Sequence, residues 1–217
     1  MKNKKLVSLA LLILIALFIG AIYAYKNIEN KKVENVSTYD YAKEPFVRAH
    51  SPSFGDNEKN IYVVEFLDPE CESCALFHKI IKKFYKENYK DIKLVVRYLA
   101  NHKNSDFAIK ILEASRLQNK YNEVLETIYK TQGIWADHNN EKPQLLWDIL
   151  SKIDGLNIEK IKQDMNNPKF DEIINIDRMD AQNLYVRGTP AVFINGKKLL
   201  VLSPDTLDDL YLSIVYK

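Results

Sequence analysis

Cysteine is almost missing from this chain: Cys71 and Cys74 are the only two in 217 residues. A framework of several disulfides is therefore excluded, and so is a four-thiolate zinc site, because there is no second pair. Histidine is scarce too. His50, His78, His102 and His138 are dispersed without paired ligand spacing. Neither sign of charge is in large excess, with 31 basic and 29 acidic side chains. The balance is uneven along the chain: residues 1–32 carry six lysines and one glutamate, and the remainder has 25 basic and 28 acidic groups. A slightly acidic body with scattered lysines is a poor nucleic-acid binder. Internal repeats and low-complexity tracts are absent, and residues 26–44 hold no heptad stretch long enough to dimerise.

One long uncharged run is present, from Leu6 to Tyr25, behind Met1-Lys2-Asn3-Lys4-Lys5. Twenty residues at ~1.5 Å each span ~30 Å, the hydrocarbon thickness of a bilayer. The apolar region of a cleaved signal peptide is shorter, ~7–15 residues. Ile22-Tyr23-Ala24 also lacks the Ala-x-Ala cleavage pattern. No polar face interrupts the run, which argues against a buried soluble helix. The expectation is an uncleaved, single-pass signal anchor over 6–25 in the lipid bilayer, with a basic cytoplasmic stretch at 1–5. Lys26, Lys31 and Lys32 weaken the charge asymmetry but leave that orientation preferred. Residues 26–44 read as a linker, and the body as lying outside the cytoplasm, in periplasm or cell exterior, where a cysteine pair meets oxidising conditions.

Along the body, Phe46–His50 reads as a short first strand and 51–57 as turn chemistry. Residues 61–67 and 92–99 are apolar, β-branched strands around a helix at 71–87, so the two strands should be parallel. Helical spacing then takes over: 106–118, 121–131, a loop over 133–142, a helix from Pro143 through Ile153, and further helices over 158–165 and 168–185. Asn195-Gly196 between 191–194 and 198–201 is a hairpin signal. Ser203-Pro204-Asp205 opens a last helix over 204–215.

Cys71-Glu72-Ser73-Cys74 thus sits where a buried strand hands over to a helix. Free N–H groups and the positive dipole end of a helix favour a thiolate there. A static disulfide or half of a metal site are the alternative readings of the spacing. The strand–helix context and the lack of further ligands favour a redox dithiol with no cofactor and no metal.

Three features together resemble the thioredoxin superfamily in its DsbA-like branch. They are strand–Cys-x-x-Cys–helix at 61–87, Gly188-Thr189-Pro190 before strand 191–194, and a helical block between them that separates Cys74 from Pro190 by 116 positions. The resemblance covers about 45–217. It implies an α/β thioredoxin fold, βαβ…ββα, with a large helical subdomain inserted at about 104–186. It implies that Cys71 is the exposed nucleophile and Cys74 the buried resolving thiol. Thr189-Pro190 resembles the family's cis-proline loop, with Thr189 placed to pair with a bound substrate chain. Glu65 matches the family's buried acid beneath the second cysteine, a carboxyl whose pKa burial would raise. The implied activity is protein thiol-disulfide exchange with client proteins, reset by a membrane redox partner.

The sequence departs from the strongly oxidising pattern. Glu72-Ser73 stands where Pro-His is typical, and Asp68 and Glu70 add negative charge on a loop expected to be exposed. Like charge opposes a thiolate. Cys71 should therefore titrate above the ~3.5 of strongly oxidising sites, and its potential should lie below ~−120 mV. His78 lies on the helix face of both cysteines and is a candidate for tuning the thiolate, with Glu72 and Ser73; the commoner reading is a partly exposed surface histidine. Two rival functions remain. One is an isomerase or reductase of the same fold. The other is an anchored metallochaperone that uses Cys71, Cys74 and His78.

Overall fold

The computed structural model describes residues 11–26 and 42–216. The chain divides into two units, Met1–Tyr39 and Asp40–Lys217. In the first unit, residues 11–26 are helical and their large apolar side chains, such as Leu12, Leu17 and Phe18, are exposed. Among the described residues no helix is long and apolar enough to cross a membrane. The expected basic stretch 1–5, residues 6–10 of the expected anchor and 27–41 of the expected linker lie outside them.

The second unit is built on a five-stranded sheet in the order β1-β3-β2-β4-β5. Its strands are β1 (Ser53–Phe54), β2 (Ile61–Leu67), β3 (Ile92–Tyr98), β4 (Ala191–Ile194) and β5 (Lys197–Lys198). β2 and β3 are parallel, with Glu65 opposite Val96, and are joined through α1 (Glu72–Asn88). β4 runs antiparallel to β2, with Glu65 opposite Val192. This is the thioredoxin fold that the resemblance implied. β2 is the central strand, and Val63, Val64, Phe66 and Leu67 are almost wholly removed from water. Each such side chain contributes about 1.5–3 kcal/mol of burial.

One core lies between the sheet, α1 and the terminal helix α8 (Pro204–Val215), where Val63, Val192 and Ile194 meet Phe77, Ile81, Phe84, Leu207 and Tyr211. A second joins Leu67, Cys71, Cys74 and Val96 to the helices between β3 and β4. Those helices are α2 (Ser105–Arg116), α3 (Tyr121–Lys130), α4 (Gln132–Trp135), α5 (Leu145–Leu150), α6 (Ile158–Asp164) and α7 (Pro168–Asn183). Ser203 caps α8 in a reciprocal capping box with Thr206, as Ser-Pro-Asp suggested.

Four expectations are corrected. Residues 46–50 form turns, with Phe46 and Val47 both donating to the Lys43 carbonyl, and the first strand is Ser53–Phe54 instead. It pairs antiparallel with β3 and ends at Gly55, whose φ of +97° admits no ordinary side chain. The loop expected at 133–142 starts with the short helix α4, because Trp135 is fully buried and its indole N–H donates to the Ile128 carbonyl at 3.0 Å. The helix expected from Pro143 through Ile153 is only Leu145–Leu150. Tight turns flank it, and Gly155 at φ +71° lies just beyond. Finally, Asn195-Gly196 does turn a hairpin, with both residues at positive φ, but β5 stops at Lys198. Leu200 and Val201 leave the sheet and are exposed.

Candidate active site

Cys71 is the N-cap of α1, and no side chain caps this helix. The first-turn N–H groups are thus left for the sulfur. Cys74 is one turn in. Cys71 is 8% exposed and Cys74 0%, and both are free thiols. The Cys71 thiol donates to the Thr189 carbonyl at 3.4 Å, across the peptide link to Pro190, which is cis. Gln132 of α4 donates to the Pro69 and Cys71 carbonyls at 2.8 and 3.1 Å, which fastens the helical block to the Cys71 loop. Cys74 Sγ accepts the Asp68 N–H at 3.5 Å.

The two thiols are displaced in opposite directions. A hydrogen bond from Cys74 lowers Cys71 to about 6; burial opposes this, and the Thr189 side chain and the Cys74 and Ser73 N–H groups assist it. Burial raises Cys74 far above the ordinary thiol range, and its bond to Cys71, the Cys71 charge and Glu65 add to that. Glu65 is 2% exposed, its Oε1 has no hydrogen-bond partner, and burial raises it to about 7.

Cys71, at about 6, thus lies above ~3.5, as the sequence suggested, but the acids beside it are placed differently from the expectation. Asp68 and Glu70 are not on an exposed loop: both are buried. Asp68 accepts from the Glu70 and Asn101 N–H groups and the Ser105 hydroxyl at 2.9, 2.8 and 2.6 Å. His102 Nδ1 lies 2.8 Å from its other oxygen. Glu70 accepts from the Asn104 N–H and amide and from the Ser105 hydroxyl. Glu72 and Ser73 are exposed. Glu72 pairs with His138 at 2.7 Å, and its own backbone N–H is the main reason its carboxyl is lowered.

His78 makes no hydrogen bond to either thiol. Its ring lies tilted against Tyr129 at 5.1 Å, both ring nitrogens lack hydrogen-bond partners, and burial lowers its pKa, which disfavours a cation there. The residues that do surround the dithiol, and that sequence reasoning passed over, are His102, Ser105, Gln132 and His138. The only signal for them was their type, a polar residue in an otherwise helical block, and no spacing connects them to Cys71. Among the described residues no group of three or more His, Cys, Asp or Glu is arranged to hold a metal ion.

With this geometry in view, comparisons with known proteins agree on one architecture. A family model described as thioredoxin matches residues 48–210. The Bacillus cereus protein named "Probable disulfide bond formation protein D" is 30% identical over 208 residues, 90% of this chain and 91% of that protein. The oxidised crystal structure of BdbD from Bacillus subtilis aligns with a TM-score of 0.67 at 21% identity, over 77% of this chain and 94% of that one. The thiol-disulfide exchange protein alpha-DsbA2 from Wolbachia pipientis aligns with a TM-score of 0.69 at 20% identity, over 88% and 97%.

Proposed function

The chain belongs to the thioredoxin family and is a thiol-disulfide oxidoreductase, and on that premise we propose that Cys71 and Cys74 are its redox dithiol and oxidise client proteins outside the cytoplasm. The observation that carries this is the placement of two free thiols one helical turn apart, Cys71 at the helix cap against the Thr189 carbonyl and Cys74 fully buried behind it. In the oxidised protein a client thiolate attacks the Cys71 sulfur. The Cys71–Cys74 bond breaks, and its electron pair leaves on Cys74. A second client thiolate then attacks the client sulfur of the mixed disulfide, and the pair leaves on Cys71. The client gains a disulfide, and the protein gains two electrons and becomes a dithiol.

Each neighbour has a part in this reading. The low pKa of Cys71 makes it the better leaving group in the second step. Burial makes Cys74 take up a proton as it leaves, and the Glu65 carboxyl, raised to about 7, is the nearby acid able to move one at neutral pH. The Thr189 carbonyl, which accepts from Cys71 here, offers its hydrogen-bonding capacity to a client backbone. Leu76 of α1 and Ile134 of α4 are large, apolar and exposed, and in this reading they serve as contacts for an unfolded chain.

The uncharged run 6–25 supports a single-pass bilayer anchor that keeps the enzyme beside a membrane redox partner able to reoxidise it. The binding-module alternative needs Cys71, Cys74 and His78 to converge; His78 lies against Tyr129 with neither ring nitrogen bonded to a thiol, which favours exchange chemistry. Direction is tested by acid-trapping thiols in living cells and alkylating them. A disulfide donor rests with Cys71 and Cys74 oxidised. A resting dithiol would instead identify the isomerase or reductase of the same fold.

A further inference from the structure

His102 and His138 lie outside the strand–Cys-x-x-Cys–helix unit and far apart in sequence, yet their rings stack at 6.1 Å beside the start of α1. Each is tied to a carboxylate close to Cys71. His102 Nδ1 is 2.8 Å from Asp68 Oδ2, and the Asp68 N–H contacts Cys74 Sγ at 3.5 Å. His138 Nε2 is 2.7 Å from Oε1 of Glu72, the residue after Cys71. Without the two imidazoles, Asp68, Glu70 and Glu72 would surround the Cys71 thiolate with negative charge, and Cys71 would be disfavoured as an anion.

We propose that His102, seated on Asp68, is the counter-charge of the Cys71 thiolate, a positioning residue in the place that the Cys-x-x-Cys dipeptide leaves empty, with His138 neutralising Glu72 beside it. The proposal rests on Cys71 being the exchanging thiol. Two histidines from the β3–α2 loop and from the helical block would then supply what Glu72-Ser73 does not. The charged groups facing His102 are Asp68 and Glu70 from the loop after β2, Cys71 and Glu72 at the α1 terminus, and His138; Lys103 is already paired with Glu141 at 2.7 Å. Burial lowers the His102 pKa, but Asp68, Cys71 and Glu70 together outweigh it and leave the imidazole raised. The Cys71 charge is thus one of the things that holds a proton on His102. Such coupling must be reciprocal: the imidazolium favours the thiolate as much as the thiolate favours the imidazolium.

The test uses the full-length chain. NMR titration of the His102 ring in the reduced and oxidised protein needs no substitution and is unaffected by folding defects. The expected result is a His102 pKa higher in the reduced form by about half a unit or more, a factor of about three in proton affinity. Equal values in the two redox states would overturn the proposal. His102→Gln keeps an amide donor toward Asp68 and removes the charge. In it, thiolate absorbance should show Cys71 raised by a similar amount, and glutathione equilibration should shift about threefold toward the disulfide. His138→Gln should move both in the same direction by less. An unchanged Cys71 pKa in His102→Gln would contradict the proposal while leaving the exchange reading intact. If instead the unsubstituted protein exchanged no disulfide with glutathione through Cys71 and Cys74, the exchange reading itself would fall, and this proposal with it.

Discussion

Cys71 and Cys74 carry the same side chain one helical turn apart, and their surroundings make them different acids. At the helix cap, Cys71 receives N–H groups and the Cys74 thiol; inside the turn, Cys74 has burial and a neighbouring anion. Glu65 shows the same physics on a carboxyl. Its folded pKa of about 7 lies above an unfolded value near 4.5. The folded protein therefore binds more protons between those values, and stability falls as pH rises through about 7. Below about 4.5 this pH-dependent cost is absent; above 7 it amounts to about 3 kcal/mol. Glu65→Gln should accordingly raise unfolding stability at pH 8 by about 1–3 kcal/mol and leave it unchanged at pH 4, as read by urea denaturation of the reduced protein. It should also slow release of mixed disulfides. Glu65 was legible in sequence because an acid inside an apolar, doubly covered strand adds nothing to packing and is seldom there without a chemical role. His102 was not, because its meaning depends on Asp68, 34 positions away.

At the scale of elements, the helices were the most legible part, since apolar residues at helical spacing and the Ser203-Pro204-Asp205 start are local signals. β1 was hidden because a two-residue strand has no period, and its pairing with β3 is set by tertiary contact. What fastens the helical block to the sheet was hidden for the same reason. Arg97 of β3 is fully buried and donates to Asp177 and Asp180 of α7, at 2.6 Å to each, and to the Pro45 and Phe46 carbonyls. Asp177 also accepts the Tyr98 N–H at 2.8 Å and lies 2.7 Å from His50 Nε2. Arg48 closes the cluster on Asp180, whose carboxyl is held down against its own burial by the Arg48 and Arg97 hydrogen bonds. Removing one member of a buried ionic cluster strands the others. Asp177→Ala should cost about 3–5 kcal/mol, seen as a lower denaturation midpoint with the Cys71 pKa little changed. A loss under 1 kcal/mol would show that the cluster is not what holds α7 to β3.

At the scale of the whole molecule, the order strand–Cys-x-x-Cys–helix, helical block, Gly-Thr-Pro, hairpin and terminal helix was sufficient to recognise the architecture, because each motif constrains its neighbour. The proposed anchor at 6–25 rests on the length of the uncharged run, which matches the ~30 Å of a bilayer interior, and can be tested directly. The mature protein should sediment with membranes, resist release by alkaline carbonate and retain residues 6–25. An amino terminus at or near Tyr25 in the mature chain would instead establish cleavage and a free exported enzyme. Mixed-disulfide trapping tests the division of labour between the two thiols most directly. Cys74→Ser, expressed as the full chain and analysed by non-reducing electrophoresis, should accumulate client-linked species that collapse on reduction, because Cys71 still attacks client disulfides and the intramolecular escape through the Cys74 thiol is gone. Cys71→Ser should trap none. Trapping through Cys74 in Cys71→Ser, with none in Cys74→Ser, would contradict the assignment of Cys71 as the nucleophile.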